Sequence, residues 1–181
     1  MTERKATTTV YIKTRTVHAG SDSVELLTSI MMRYPEVGTI NFEPARRLLK
    51  FTFILSQVVT NKEIDLFREK LVTMVDAYNH LEGREPGVVE VTATFCKQLT
   101  LLEISRDIES LDYDEIALLM AILHQQFGSL IMTEESEGML EEEILLQEDL
   151  IRQMLESLRC CEQEKKLVAF REEGRVLVFN K

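Results

Sequence analysis

A chain of 181 residues with 45% apolar side chains, 29% charged ones, three Pro and seven Gly has the composition of a folded globular protein, which excludes a disordered or collagen-like one. Its net charge of −10 is uneven: residues 110–181 hold seven of the 21 basic side chains but 16 of the 31 acidic ones, a balance that repels phosphate backbones. No apolar run is long enough to span a bilayer, and the leading MTERKATTTV has charges but no apolar stretch before a cleavage site, so neither a membrane partner nor export is expected.

Thr7 to Val17 is rich in β-branched residues and predicts a first strand. After Ala19-Gly20, cap-type residues open a helix that places Val24, Leu27, Ile30, Met31 and Tyr34 on one face before Pro35. Two strands follow, Val37 to Phe42 and Leu48 to Leu55, joined through Pro44. Thr60 and Glu63 form a capping box ahead of a second helix, whose apolar positions Ile64, Phe67, Leu71, Met74, Tyr78 and Leu81 step by three and four to Gly83. Val88 to Phe95 alternates as a fourth strand, and Leu99 to Ile104 adds a fifth after a short turn.

The second part, residues 110–181, is mainly helical. Asp112 and Glu115 start a helix that runs to Gly128. From 139 to 165 no Gly or Pro interrupts a long helix with Leu140, Ile144, Gln147, Ile151, Met154, Leu158 and Cys161 in one stripe, widened by Leu146, Leu150 and Leu155. The three glutamates at 141 to 143 fall in its first turn and Lys165-Lys166 close its last, as the helix dipole favours. Residues 167–179, LVAFREEGRVLVF, form a hairpin. A three-residue loop Glu172-Glu173-Gly174 would set Arg171 opposite Arg175, Phe170 opposite Val176 and Val168 opposite Val178.

The expected fold class is therefore α+β: a split βαβ, ferredoxin-like antiparallel sheet in residues 1–109, followed by two helices and a C-terminal β-hairpin in 110–181. Its order also resembles that of the RNA-recognition module, with Tyr11 on the first strand, Phe51 and Phe53 on the third, and Lys13 and Arg15 close by. The resemblance is confined to those two strands. The glycines of that module's third-strand signature are missing, since Lys50 and Thr52 flank Phe51.

Chemistry finds little footing. His18, His80 and His124 are dispersed, no H-x-x-x-H or C-x-x-C occurs, and no phosphate-cradling glycine motif is present, so no metal or other cofactor is expected. Cys96, Cys160 and Cys161 read as free thiols of a reducing compartment, which points to the cytoplasm. Arg46-Arg47 beside Lys50 is a basic spot that would suit an anion.

What stands out is apolar excess in the last third. The expectation is a non-enzymatic regulatory or protein-interaction protein. It would form a homo-oligomer, a dimer first of all, through Leu140, Ile144, Ile151, Met154, Leu158, Val168, Phe170, Val176 and Val178, with another protein or a small effector at the subunit interface as a further partner. Nucleic-acid binding through Tyr11, Lys13, Arg15, Phe51 and Phe53 is a second class, disfavoured by charge. An enzyme with a site assembled from scattered residues is a third.

Overall fold

The computed structural model describes residues 9–11, 22–134, 138–162 and 165–181. The strands are β1 (Thr9–Tyr11), β2 (Thr39–Glu43), β3 (Leu48–Leu55), β4 (Val89–Cys96), β5 (Leu99–Asp107), β6 (Leu167–Glu172) and β7 (Arg175–Asn180). The helices are α1 (Asp22–Arg33), α2 (Asn61–Leu81), α3 (Tyr113–Phe127) and α4 (Glu141–Cys160). The fold is α+β, with one antiparallel sheet in the order β1-β7-β6-β2-β3-β5-β4.

The ferredoxin-like order is not reproduced. In that arrangement the first strand lies inside the sheet beside the third. Here β3 lies between β2 and β5, and the place beside it goes to the strand that a tight turn at Lys97 (φ 33°) folds back from β4. Closing a two-residue hairpin loses less chain entropy than a long crossover, which is why the local pairing takes that position. β1 pairs with β7 instead, and β6 and β7 lie between it and β2, so the two parts of the chain share one sheet. Positions 7–8 and 12–17 of the expected first strand lie outside the described residues.

The register separates the two faces. Ile40, Phe51, Ile104 and Val91 are aligned across β2, β3, β5 and β4, and Ile40 continues through Ala169 to Val178. Together with Phe42, Leu49, Phe53 and Leu102 these side chains are buried in one core with the helices. Alternation alone demands this: in a strand, neighbours i and i+2 share a face.

All four helices contribute to that core from the same side. α2 has its capping box at Thr60, whose hydroxyl accepts from the Glu63 N–H at 3.2 Å while the Glu63 carboxylate accepts from the Thr60 N–H at 2.7 Å. It buries Ile64, Phe67, Leu71 and Val75 over β4 and against α3. α1 is buried on most of its circumference, Ser23, Thr28 and Ser29 included, because it lies between the sheet and α4. A helix in a middle layer has no wet side, and the Thr28 hydroxyl answers burial by donating to the Val24 carbonyl at 2.8 Å.

The long stripe of α4 is real, but its partner is this chain. Ile151, Leu155 and Leu158 are fully buried against α1 and its surroundings. Val176 and Val178 face the same core. That corrects the expectation that these residues meet a second molecule: the middle-layer position of α1 supplies the cover the sequence could not reveal.

The hairpin is also shifted by one residue. Its loop has two residues, Glu173 (φ 50°) and Gly174 (φ 72°), both left-handed, so Glu172 opposes Arg175, Arg171 opposes Val176 and Phe170 opposes Leu177. A two-residue turn with both φ positive matches the right-handed twist of its strands, and this outweighs the cost of a left-handed glutamate.

Candidate interaction surface

A polar cluster lies where α2, β5 and α3 converge. Arg106, wholly buried at the end of β5, donates Nε to Glu115 Oε1 at 2.5 Å and Nη2 to Glu115 Oε2 at 3.0 Å. Its remaining hydrogens reach the Val88 carbonyl and Asp107 Oδ1, both at 2.5 Å, and Ser110 Oγ at 2.9 Å. A guanidinium has five N–H donors, and here five acceptors meet them, which leaves none for a ligand.

Asp107 accepts from the N–H groups of Gly87, Val88 and Ser110. Burial pushes its carboxyl upward, but those bonds, the Ser110 hydroxyl and the Arg106 charge outweigh it and bring the pKa down to about 2. Asp112 caps α3 at the Glu115 N–H and accepts from Tyr78 and Arg84. The cluster is a structural joint, pinning the loop before β4 to the start of α3.

A second junction joins α1, α3 and α4. The Tyr113 hydroxyl donates to Glu148 at 2.6 Å and Arg33 Nε donates to the same oxygen at 3.2 Å, which together hold the Glu148 carboxyl below the usual range. The rings of Tyr34 and Tyr113 stack at 6.4 Å, with Arg33 over the first and Arg152 over the second. This too is fastening, of the middle layer to the outer helix.

The basic residues singled out from the sequence are likewise occupied. Arg47 Nη2 donates to the carbonyls of Leu158 and Arg159 at the end of α4, and its Nε to Glu109. Arg171 lies on the covered side of the hairpin, where Nη2 donates to the carbonyls of Met31 and Tyr34 and closes the end of α1. Lys50 pairs with Glu43 at 2.9 Å, which lowers the Glu43 carboxyl, and Arg46 stands 3.8 Å from the same carboxylate. His124 Nε2 meets Glu36 at 3.1 Å and His80 is exposed, while His18 lies outside the described residues. Among the described residues no group of three or more His, Cys, Asp or Glu has metal-binding geometry. Cys96, Cys160 and Cys161 are exposed free thiols.

The stacking platform expected on the third strand is not available. Phe51 and Phe53 are fully buried under the helices, so no base can reach them. Tyr11 is paired with Val176 on β7, and Lys13 and Arg15 lie outside the described residues.

Among the described residues no helix lies over the opposite face of the sheet. Asn41, Lys50, Ser105 and Glu90 form one cross-strand row, and Thr39, Thr52, Glu103 and Thr92 the next. Those rows run on through Val168 to Phe179 and through Phe170 to Leu177, where the face turns apolar. There the rings of Phe170 and Phe179 stack at 5.3 Å with 9° between their planes. Val168, Phe170 and Phe179 are only half-buried. Glu172 and Arg175, opposed across the hairpin, close this end with one charge of each sign.

Of the residues expected at an interface, Val168 and Phe170 thus lie on the uncovered face. Leu140 is exposed, and Ile144 and Met154 lie at the margin of α4's buried stripe. Phe179 completes the patch, with Leu177 on the same side of the hairpin but buried, and both were missed because of the one-residue register shift. The signal was present: both faces of LVAFREEGRVLVF are apolar, and only one can meet helix α1.

Comparison with known proteins gives no family: no family model, no curated protein and no solved structure matches the chain. No helix among the described residues is long and apolar enough to cross a membrane.

Proposed function

We propose that the protein is a non-enzymatic, cytoplasmic interaction protein that associates with a second copy of itself through the uncovered face of its sheet at the β6–β7 end. The observation that carries this reading is the Phe170–Phe179 stack beside Val168 on a face that no helix among the described residues covers. Antiparallel sheets tolerate one wet face when it is polar, as the central rows Asn41–Lys50–Ser105 and Thr39–Thr52–Glu103 of this one are. An aromatic and aliphatic cluster on such a face gains by excluding water against a partner, at ~25 cal/mol per Å² of apolar surface buried.

A second copy fits for reasons of charge. Glu172, opposite Arg175 in the hairpin register, places one charge of each sign at the end of the patch, which a twofold mate can meet with the reverse pair. A nucleic acid is disfavoured by the net charge of −10. The exposed thiols agree with a reducing compartment.

Sedimentation velocity on the full chain and on Phe170→Asp with Phe179→Asp tests this. Wild type is expected to associate with a midpoint in the micromolar range, and the variant to shift that midpoint at least tenfold upward while keeping its circular dichroism. Unchanged association of a folded variant would sink the proposal.

A further inference from the structure

The two edges of the sheet are unequal. Among the described residues β1 gives one side three residues, whereas β4 gives the other eight, Val89 to Cys96, and pairs only with β5. Long edge strands are a hazard that folded proteins blunt with Lys, Pro, bulges or cover. β4 has neither Lys nor Pro, its pairing with β5 runs without a bulge, and its single charged residue is Glu90.

Which backbone groups point outward follows from three hydrogen bonds. The Val88 carbonyl accepts from Arg106 and the Val88 N–H donates to Asp107, both on the β5 side. Arg68, from α2, donates Nε to the Val91 carbonyl at 3.1 Å. In an antiparallel strand successive residues alternate in direction, so Val89, Val91, Ala93 and Phe95 turn both N–H and C=O away from β5. Of those groups, Arg68 covers one carbonyl. Phe95, still 43% exposed at the far end, forms an apolar shelf with Val58 and Val59 beside the edge.

We propose that β4 pairs antiparallel with β4 of a second copy about a twofold axis through Ala93, joining two seven-stranded sheets into one. This interface is independent of the open-face patch. A second copy is the occupant because the strand is complementary to itself in that register. Ala93 then faces its own mate and the two exchange both hydrogen bonds. Thr92 faces Thr94 of the other copy, Val91 faces Phe95, and Glu90 faces Cys96 instead of another glutamate. The pairing covers the exposed Phe95 ring and gives the outward backbone groups of Val91, Ala93 and Phe95 partners in each copy, with the mate's Phe95 N–H joining or replacing Arg68 at the Val91 carbonyl.

Three variants test the register, all at positions outside the β5 ladder or on the wet face. Ala93→Pro removes an outward N–H that β5 does not use, so the fold survives. Thr92→Lys with Thr94→Lys sets lysine against lysine across the twofold, and Thr92→Lys with Thr94→Glu sets lysine against glutamate. Sedimentation velocity in low salt should show Ala93→Pro and the double lysine variant losing one association step, a tenfold or greater weakening. The Lys/Glu variant should associate as tightly as wild type or more so.

In wild type the two interfaces together give species of four or more copies. The folded Phe170→Asp, Phe179→Asp protein should stop at a dimer, and adding Ala93→Pro should yield a monomer. If the Phe170→Asp, Phe179→Asp protein is itself monomeric, the β4 pairing is overturned while the open-face reading stands. If Ala93→Pro alone is monomeric, the reverse holds. Equal association of the Lys/Lys and Lys/Glu variants would overturn the proposed register.

Discussion

Arg106 and Glu115 form a two-pronged ion pair in which both side chains are wholly excluded from solvent, with Nε–Oε1 at 2.5 Å and Nη2–Oε2 at 3.0 Å. Asn79 Nδ2 adds a hydrogen bond to Glu115 Oε2 at 2.8 Å, so the carboxylate is neutralised and oriented at once. Arg106→Met strands that carboxylate in the core and should destabilise the protein by about 3–5 kcal/mol. Replacing both partners, Arg106→Met with Glu115→Leu, should cost less than the sum of the single changes. Urea denaturation of the four proteins measures the coupling.

Acid should loosen the same corner. Asp107 is held at about 2 in the folded protein against an ordinary 3.8, so its contribution is complete above about pH 5 and is lost as pH falls through 4 toward 2. Asp112, Glu148 and Glu43 are lowered in the same direction and add to the trend. Asp107→Asn should remove roughly 1–2 kcal/mol at pH 7 and flatten the decline below pH 5, seen in thermal melts across pH 2–7.

Charge placed on α4 should separate its two sides. Ile151→Asp or Leu158→Asp puts an unpaired carboxylate against α1 and should unfold the chain or cost at least ~4 kcal/mol. Leu146→Asp, on the exposed side of the same helix, should change stability by less than about 0.5 kcal/mol. Loss of cooperative unfolding by circular dichroism in the first pair, with none in the third protein, is the expected pattern.

The hairpin turn offers a gain. Glu173 adopts φ 50° without the glycine that its neighbour Gly174 supplies at φ 72°. Glu173→Asn should stabilise the protein by about 0.5–1 kcal/mol, since asparagine tolerates the left-handed region. Gly174→Val should destabilise by ~1 kcal/mol or more, because a β-branched residue resists positive φ. Melting temperatures moving in opposite directions would establish the two-residue turn.

Much of the local structure was legible in the residues. The alternation of Leu49, Phe51, Phe53 and Leu55 shows a strand with one buried face, and the Thr60–Glu63 box shows where α2 begins, because these patterns follow from backbone geometry over a few residues. The apolar stripe of α4 and the existence of the hairpin were equally plain. The α+β class was thus legible from pattern and composition, whereas the strand order was not.

What covers each apolar face was decided by tertiary structure alone. The β4–β5 hairpin took the place beside β3, β6 and β7 entered between β1 and β2, and α1 became a middle layer that shelters Ile151 and Leu158. A strand's pattern states that one side must be hidden, yet any apolar neighbour meets that demand equally well. The choice among neighbours depends on loop closure and on volumes brought together from distant parts of the chain, and periodicity has no record of either.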